Sequence, residues 1–288
     1  MSQSLLPRHP LPHPTESLLG YVVRLTEANG YASPRNLYRL ADMKGTETSA
    51  RSFCCSKFAA ITNHPAAWLE GLAYRPTQGQ SHDYCLLGNR ISPGYIDLIH
   101  ARACPDCITE MGFIEAHWHI DLMVACPVHG RAPVWYCPKC KKRLSWIRPG
   151  LLTCKCGAPF QLPSNSVFSP AELKLLDVIR RNALGDQTLD GDSCIPVHYF
   201  AELDLQSTLS LVRFLGKNRL IASWGKGEPT PRAILQAAAK VLTDWPCNFR
   251  KLLDDISPQP SSICLPPEDL ANVYKLVRER MDFRFKTR

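Results

Sequence analysis

The stretch CPDCITEMGFIEAHWHIDLMVACPVHGRAPVWYCPKC at residues 104–140, continued by LTCKCG at 152–157, decides how this chain is read. It holds two groups of four ligand-type side chains. Cys104 and Cys107 are followed after eighteen residues by Cys126 and His129; Cys137 and Cys140 are followed after thirteen by Cys154 and Cys156. Each short pair supplies two ligands from one tight turn, and the loop between pairs is long enough to bring them together, the spacing that tetrahedral Zn²⁺ requires. The prolines after Cys104, Cys126 and Cys137 pre-set the turns, and Gly157 relieves crowding beside the last pair. Soft thiolates favour zinc over magnesium or calcium, and a tetrahedral sulfur–nitrogen set disfavours copper(II). A histidine in one group argues against an iron–sulfur cluster. A catalytic zinc keeps one position open, whereas both groups supply four ligands, so two closed, structural Zn²⁺ sites are expected. His117 and His119 flank Trp118 and are expected beside the first site or at the surface rather than as ligands.

Working outward, seven of the 13 cysteines lie between residues 101 and 160, and the other six (Cys54, Cys55, Cys85, Cys194, Cys247 and Cys264) read as small apolar residues. An odd cysteine count and no apolar segment in MSQSLLPRHPLPHPTES argue against a secreted disulfide framework. No stretch approaches the roughly 18 apolar residues of a membrane span. A soluble, cytoplasmic protein is the expectation. The 288 residues carry 34 Lys+Arg against 26 Asp+Glu, and seven thiolates holding two Zn²⁺ lower the net charge from +8 to +5. That modest excess suits nucleic acid or an acidic protein.

Three stretches are expected: a helical region at 1–100, tandem zinc ribbons at 101–160 and a helical domain at 161–288. In the first, Thr15 reads as the cap of a helix bearing Leu18, Leu19, Val22, Val23 and Leu25 and ending at Asn29-Gly30. Ser33-Pro34 and Asn63-His64-Pro65 open two more, an arrangement compatible with a helix-turn-helix. In the last, Ser169-Pro170, residues 198–215, Thr230-Pro231 and Pro266-Pro267 mark further helices. The fold class is thus mainly α with two small zinc-ribbon modules.

Residues 122–171 contain no Asp or Glu but do contain Arg131, Lys139, Lys141, Lys142, Arg143, Arg148 and Lys155, with Trp135, Tyr136 and Trp146 interleaved. A basic, aromatic-rich ribbon suits phosphate contact and stacking; it also offsets the charge of neighbouring thiolates. The first six of these cations are the expected nucleic-acid or partner contacts. There is no phosphate loop, no G-x-S-x-G elbow and no H-E-x-x-H, and Asp121, Asp177 and Asp204 lack the spacing of a two-metal nuclease. No catalytic centre is expected.

These residues bring a family into view. Cys104, Cys107, Trp118, Cys126, Pro127, His129, Gly130, Cys137 and Cys140 resemble the zinc-binding core of the TniQ/TnsD family of transposition proteins. PLPHPTESLLGYVVRLTEANGY at 10–31 is similar to that family's N-terminal signature, and LTDWPCNFRKLLDDI at 242–256 to its tryptophan-proline helix. The resemblance implies a non-catalytic, target-selecting adaptor in DNA transposition. Its implied partners are a TnsC-like AAA+ ATPase regulator, target DNA or an RNA-guided CRISPR effector complex, and the transposase indirectly, with no membrane. The alternative is a stand-alone zinc-ribbon or helix-turn-helix transcription regulator; a metallohydrolase or nuclease ranks behind both.

Overall fold

A computed structural model describes residues 5–77, 83–160, 167–186, 188, 193–201, 203–221 and 228–256. Among them are nine α-helices and one three-stranded antiparallel sheet, so the chain is mainly helical. Two compact units emerge: Met1–Phe168 with Arg180–Asp186, and Ser169–Ile179 with Gln187–Arg288. No helix among the described residues is long and apolar enough to cross a membrane.

In the first unit, α1 (Leu18–Ala28) buries Leu18, Tyr21, Val22 and Leu25 completely or nearly so. Its cap is Ser17, whose Oγ accepts the Gly20 N–H at 2.9 Å, and not the expected Thr15. The reason is tertiary. The Thr15 carbonyl accepts from Ala116 N and Ser17 N donates to Ile114, so residues 15–17 run extended beside 114–116 and the helix starts two residues later. The helix ends at Asn29 with Gly30 at φ +68°, as the sequence leads one to expect. Next come α2 (Arg35–Leu40), α3 (Cys55–Thr62) and α4 (Ala66–Leu72). Pro34 and Pro65 sit at the helix starts; α3 has no counterpart in the sequence reading. Phe53, Phe58 and Tyr38 pack edge-on between these short helices.

The sheet was not foreseen either. Strands β1 (Arg75–Pro76), β2 (Tyr84–Leu86) and β3 (Asn89–Ile91) pair in that order, with Arg75 opposite Cys85 and Tyr84 opposite Ile91. Leu87 and Gly88, both at positive φ, form the two-residue hairpin turn whose twist matches the strands. Strands of two or three residues are too short to show alternation in sequence.

α5 (Pro105–Met111) follows, and α6 (Pro170–Leu184) runs from the second unit into the first. Ser169 and Glu172 exchange backbone and side-chain hydrogen bonds at the start of α6, a capping box. In the second unit α7 (Leu205–Leu220), α8 (Pro231–Leu242) and α9 (Cys247–Ile256) pack together. The helix expected across 198–215 begins only at Leu205, because the Asp204 carboxylate caps it through Ser207 N at 2.7 Å. Thr230 caps α8 through Ala233 N, with Pro231 at the first position as expected. Gly216 lets α8 approach, since a Cβ there would strike the Ile234 carbonyl. The helix expected after Pro266-Pro267 lies outside the described residues.

Candidate metal centres

The two groups assemble as the spacing predicts. Cys104, Cys107, Cys126 and His129 bring one ligand atom each to within 4.8 Å of one another, and so do Cys137, Cys140, Cys154 and Cys156. Either cluster can hold a metal ion, and both belong to the first unit.

Four short pairs build them, by two different backbone devices. Cys104 is the N-cap of α5, Pro105 is its first residue and Cys107 lies one turn in, so this pair is a helix start rather than the turn expected from its proline. The pair Cys126 and His129 is a turn: Cys126 N donates to the Arg131 carbonyl, Gly130 N donates back to Cys126, and Gly130 takes φ +62°. Cys137 and Cys140 repeat it residue for residue, with Cys137 N on the Lys142 carbonyl and Lys141 N on Cys137. There Lys141 occupies the left-handed position at φ +58°, which a side chain adopts at a cost. In Cys154-Lys155-Cys156 the ligands are one residue closer, and Gly157 closes a turn shortened by one.

The donor separations fit zinc-sized tetrahedra. Bonds of the usual length place two sulfurs about 3.8 Å apart and a sulfur and nitrogen about 3.5 Å apart. In the first cluster His129 Nδ1 lies 3.5, 3.3 and 3.4 Å from the sulfurs of Cys104, Cys107 and Cys126. In the second, Cys137 and Cys156 sulfurs are 3.6 Å apart, and those of Cys140 and Cys154 3.9 Å. The Cys140 N–H points at Cys137 Sγ and brings that thiol down to about 6, favouring the thiolate a metal binds.

One contributor escaped the sequence reading. Glu110, on α5, accepts the Nε2 hydrogen of His129 at 2.9 Å, which fixes the tautomer that turns Nδ1 toward the three sulfurs. Nineteen residues separate the two, and an ordinary helix glutamate carries no sign of that partner. His117 and His119 join neither cluster. Both are buried, and burial pushes His119 down to about 4, where it stacks on Trp146 and faces Tyr74 edge-on.

The basic residues divide. Lys139, Lys141, Lys142, Arg143 and Lys155 are exposed around the second cluster, while Arg131 is half-exposed 3.7 Å from Asp106. Arg148 is not a surface cation, contrary to the sequence expectation. It is 1% exposed, sandwiched between Trp146 and Phe160, and donates to the carbonyls of Ser145, Gly150 and Leu151. Trp135 is likewise engaged, covering the buried Arg102 guanidinium, which donates to four carbonyls from Trp118 to Asp121. Of the three aromatics in the ribbon only Tyr136 stands exposed, its hydroxyl accepting from Arg143.

No curated protein matches the chain. A family model, TniQ, matches residues 7–132, a span that includes the complete first cluster. Residues 7–132 thus form a TniQ domain, which implies a transposition-associated role in target selection.

Proposed function

We propose that the chain is a non-catalytic, cytoplasmic adaptor that links target DNA, or an RNA-guided CRISPR effector complex, to a TnsC-like AAA+ ATPase regulator and through it to the transposase. The observation that carries this reading is the TniQ domain over 7–132. Two structural Zn²⁺ complete the fold: Cys104, Cys107, Cys126 and His129 hold one, Cys137, Cys140, Cys154 and Cys156 the other. Zinc supplies no chemistry here beyond cross-linking segments that are distant in sequence. Donor type and separation in both clusters support it. Arg131, Lys139, Lys141, Lys142 and Arg143 meet DNA phosphate, guide RNA or an acidic partner, supported by the absence of any acid from 122 to 171.

The test is duplex-DNA binding by the zinc-loaded full chain, titrated against salt with random-sequence competitor. Binding that resists competitor at near-physiological salt means the chain reads its own target. Binding that is absent, or fades as salt rises, means that a partner supplies the target and this chain is the bridge. A footprint of two half-sites by a chain that engages no AAA+ partner would replace the adaptor with a stand-alone regulator.

A further inference from the structure

We propose that Cys156 is an oxidation site through which a hydroperoxide releases the metal of the second centre while the first stays loaded. The inference rests on the zinc reading above. It is carried by accessibility and sulfur geometry. Of the seven clustered cysteines only Cys156 is exposed; Cys140 is intermediate and the other five are buried. Cys137 Sγ lies 3.6 Å from Cys156 Sγ, so a resolving thiol stands ready. Exposed Lys155 adjoins Cys156 in sequence, and exposed Lys139, Lys141 and Lys142 lie on the turn that carries Cys137. The first centre offers no such entry. Its three cysteines are buried, and its fourth ligand is an imidazole held by Glu110.

The chemistry balances with hydrogen peroxide as oxidant. Cys156 Sγ takes one peroxide oxygen as the O–O bond breaks, giving a sulfenic acid and water. Cys137 Sγ then attacks the oxidised sulfur, the S–S bond forms, the S–O bond breaks and a second water leaves. Two thiols lose two electrons, peroxide gains them, and two of the four ligands of the second centre are gone.

The experiment uses the full-length zinc-loaded chain. Metal content comes first: fewer than two ions per chain defeats the zinc reading, and this inference with it, before any oxidant is added. Hydrogen peroxide is then titrated in the presence of a chromogenic zinc chelator, free thiols are trapped, and disulfide peptides are mapped. The expected result is loss of one of the two ions with a Cys137–Cys156 linkage, restored by dithiothreitol and zinc. Mapping keeps oxidation at the exposed Cys194 and Cys247 from being mistaken for it. Parallel loss of both ions, earlier loss from the first centre, or a different linkage overturns the proposal.

Discussion

The two candidate metal centres stand within one short stretch and share a type of turn, yet they are set differently in the protein. In the first, Cys104, Cys107 and Cys126 are at most 5% exposed, one pair starts a helix, and His129 is held by a carboxylate. Arg102, His117 and Trp118, which adjoin its ligand pairs in sequence, are buried. The second is built from four cysteines, one of them exposed, with exposed lysines beside them in the chain. Ligand spacing alone would make them equivalent. What separates them is burial: every cysteine of the first is buried, whereas the second reaches the surface at Cys156.

The strongest way to break that contrast is to remove one ligand from each. Cys107→Ser should cost the first metal and, with it, cooperative folding of the first unit, since a structural zinc carries roughly 10 kcal/mol or more. Cys137→Ser should cost the second metal and unfold only the second ribbon. Metal analysis and thermal unfolding followed by circular dichroism read both. Equal collapse in the two variants would erase the distinction.

A second comparison sets two arginines of the ribbon against each other. Arg148→Met leaves buried carbonyls unpaired and should destabilise by about 3 kcal/mol, with no change in the salt dependence of DNA binding. Arg143→Ala should leave denaturant stability within about 0.5 kcal/mol but flatten the slope of log K against log salt by about one. The reverse pattern would move the nucleic-acid face elsewhere.

The buried His119 also predicts a pH dependence. His119 is packed against Trp146 and Tyr74, and burial holds it at about 4. The unfolded chain takes up a proton as pH falls through about 6.5, while the folded chain resists until much lower. Stability is therefore fully present above pH 6.5 and drains away toward pH 4, by up to about 3 kcal/mol from this group. Denaturant midpoints at pH 7 and 5 should differ less in His119→Phe than in the unaltered chain. An identical pH response would remove His119 from the account.

The smallest effect concerns Glu110. Glu110→Ala should speed metal loss from the first centre by about 10- to 100-fold, and Glu110→Gln, which keeps an acceptor for Nε2, by less. Chelator competition on the two-metal protein makes the second centre an internal control. Equal acceleration at both would mean a general loss of stability rather than a clamp on His129.

Much of the candidate site was legible because ligand spacing is a local property. CPDC, CPVH, CPKC and CKC each fix two donors within one turn or helix start, and the loops between them are long enough to close. The helix starts at Pro170 and Pro231 were legible for the same reason: proline and its capping neighbour act over three or four residues. Failures occurred where a partner came from far along the chain. Ser17 replaced Thr15 as a cap because residues 114–116 pair with 15–17. Arg148 read as a surface cation because nothing in RPG announces that Trp146 and Phe160 will enclose it.

The sequence by itself determined the helical class, the eight residues of the two clusters and the likeness of residues 7–132 to the TniQ domain, since each follows from residue type and short spacing. Only the tertiary structure decided which centre is sealed and which is open, which arginines face water, and that Glu110 reaches His129. Those depend on burial and on contacts between residues distant in the chain, quantities that local pattern does not encode.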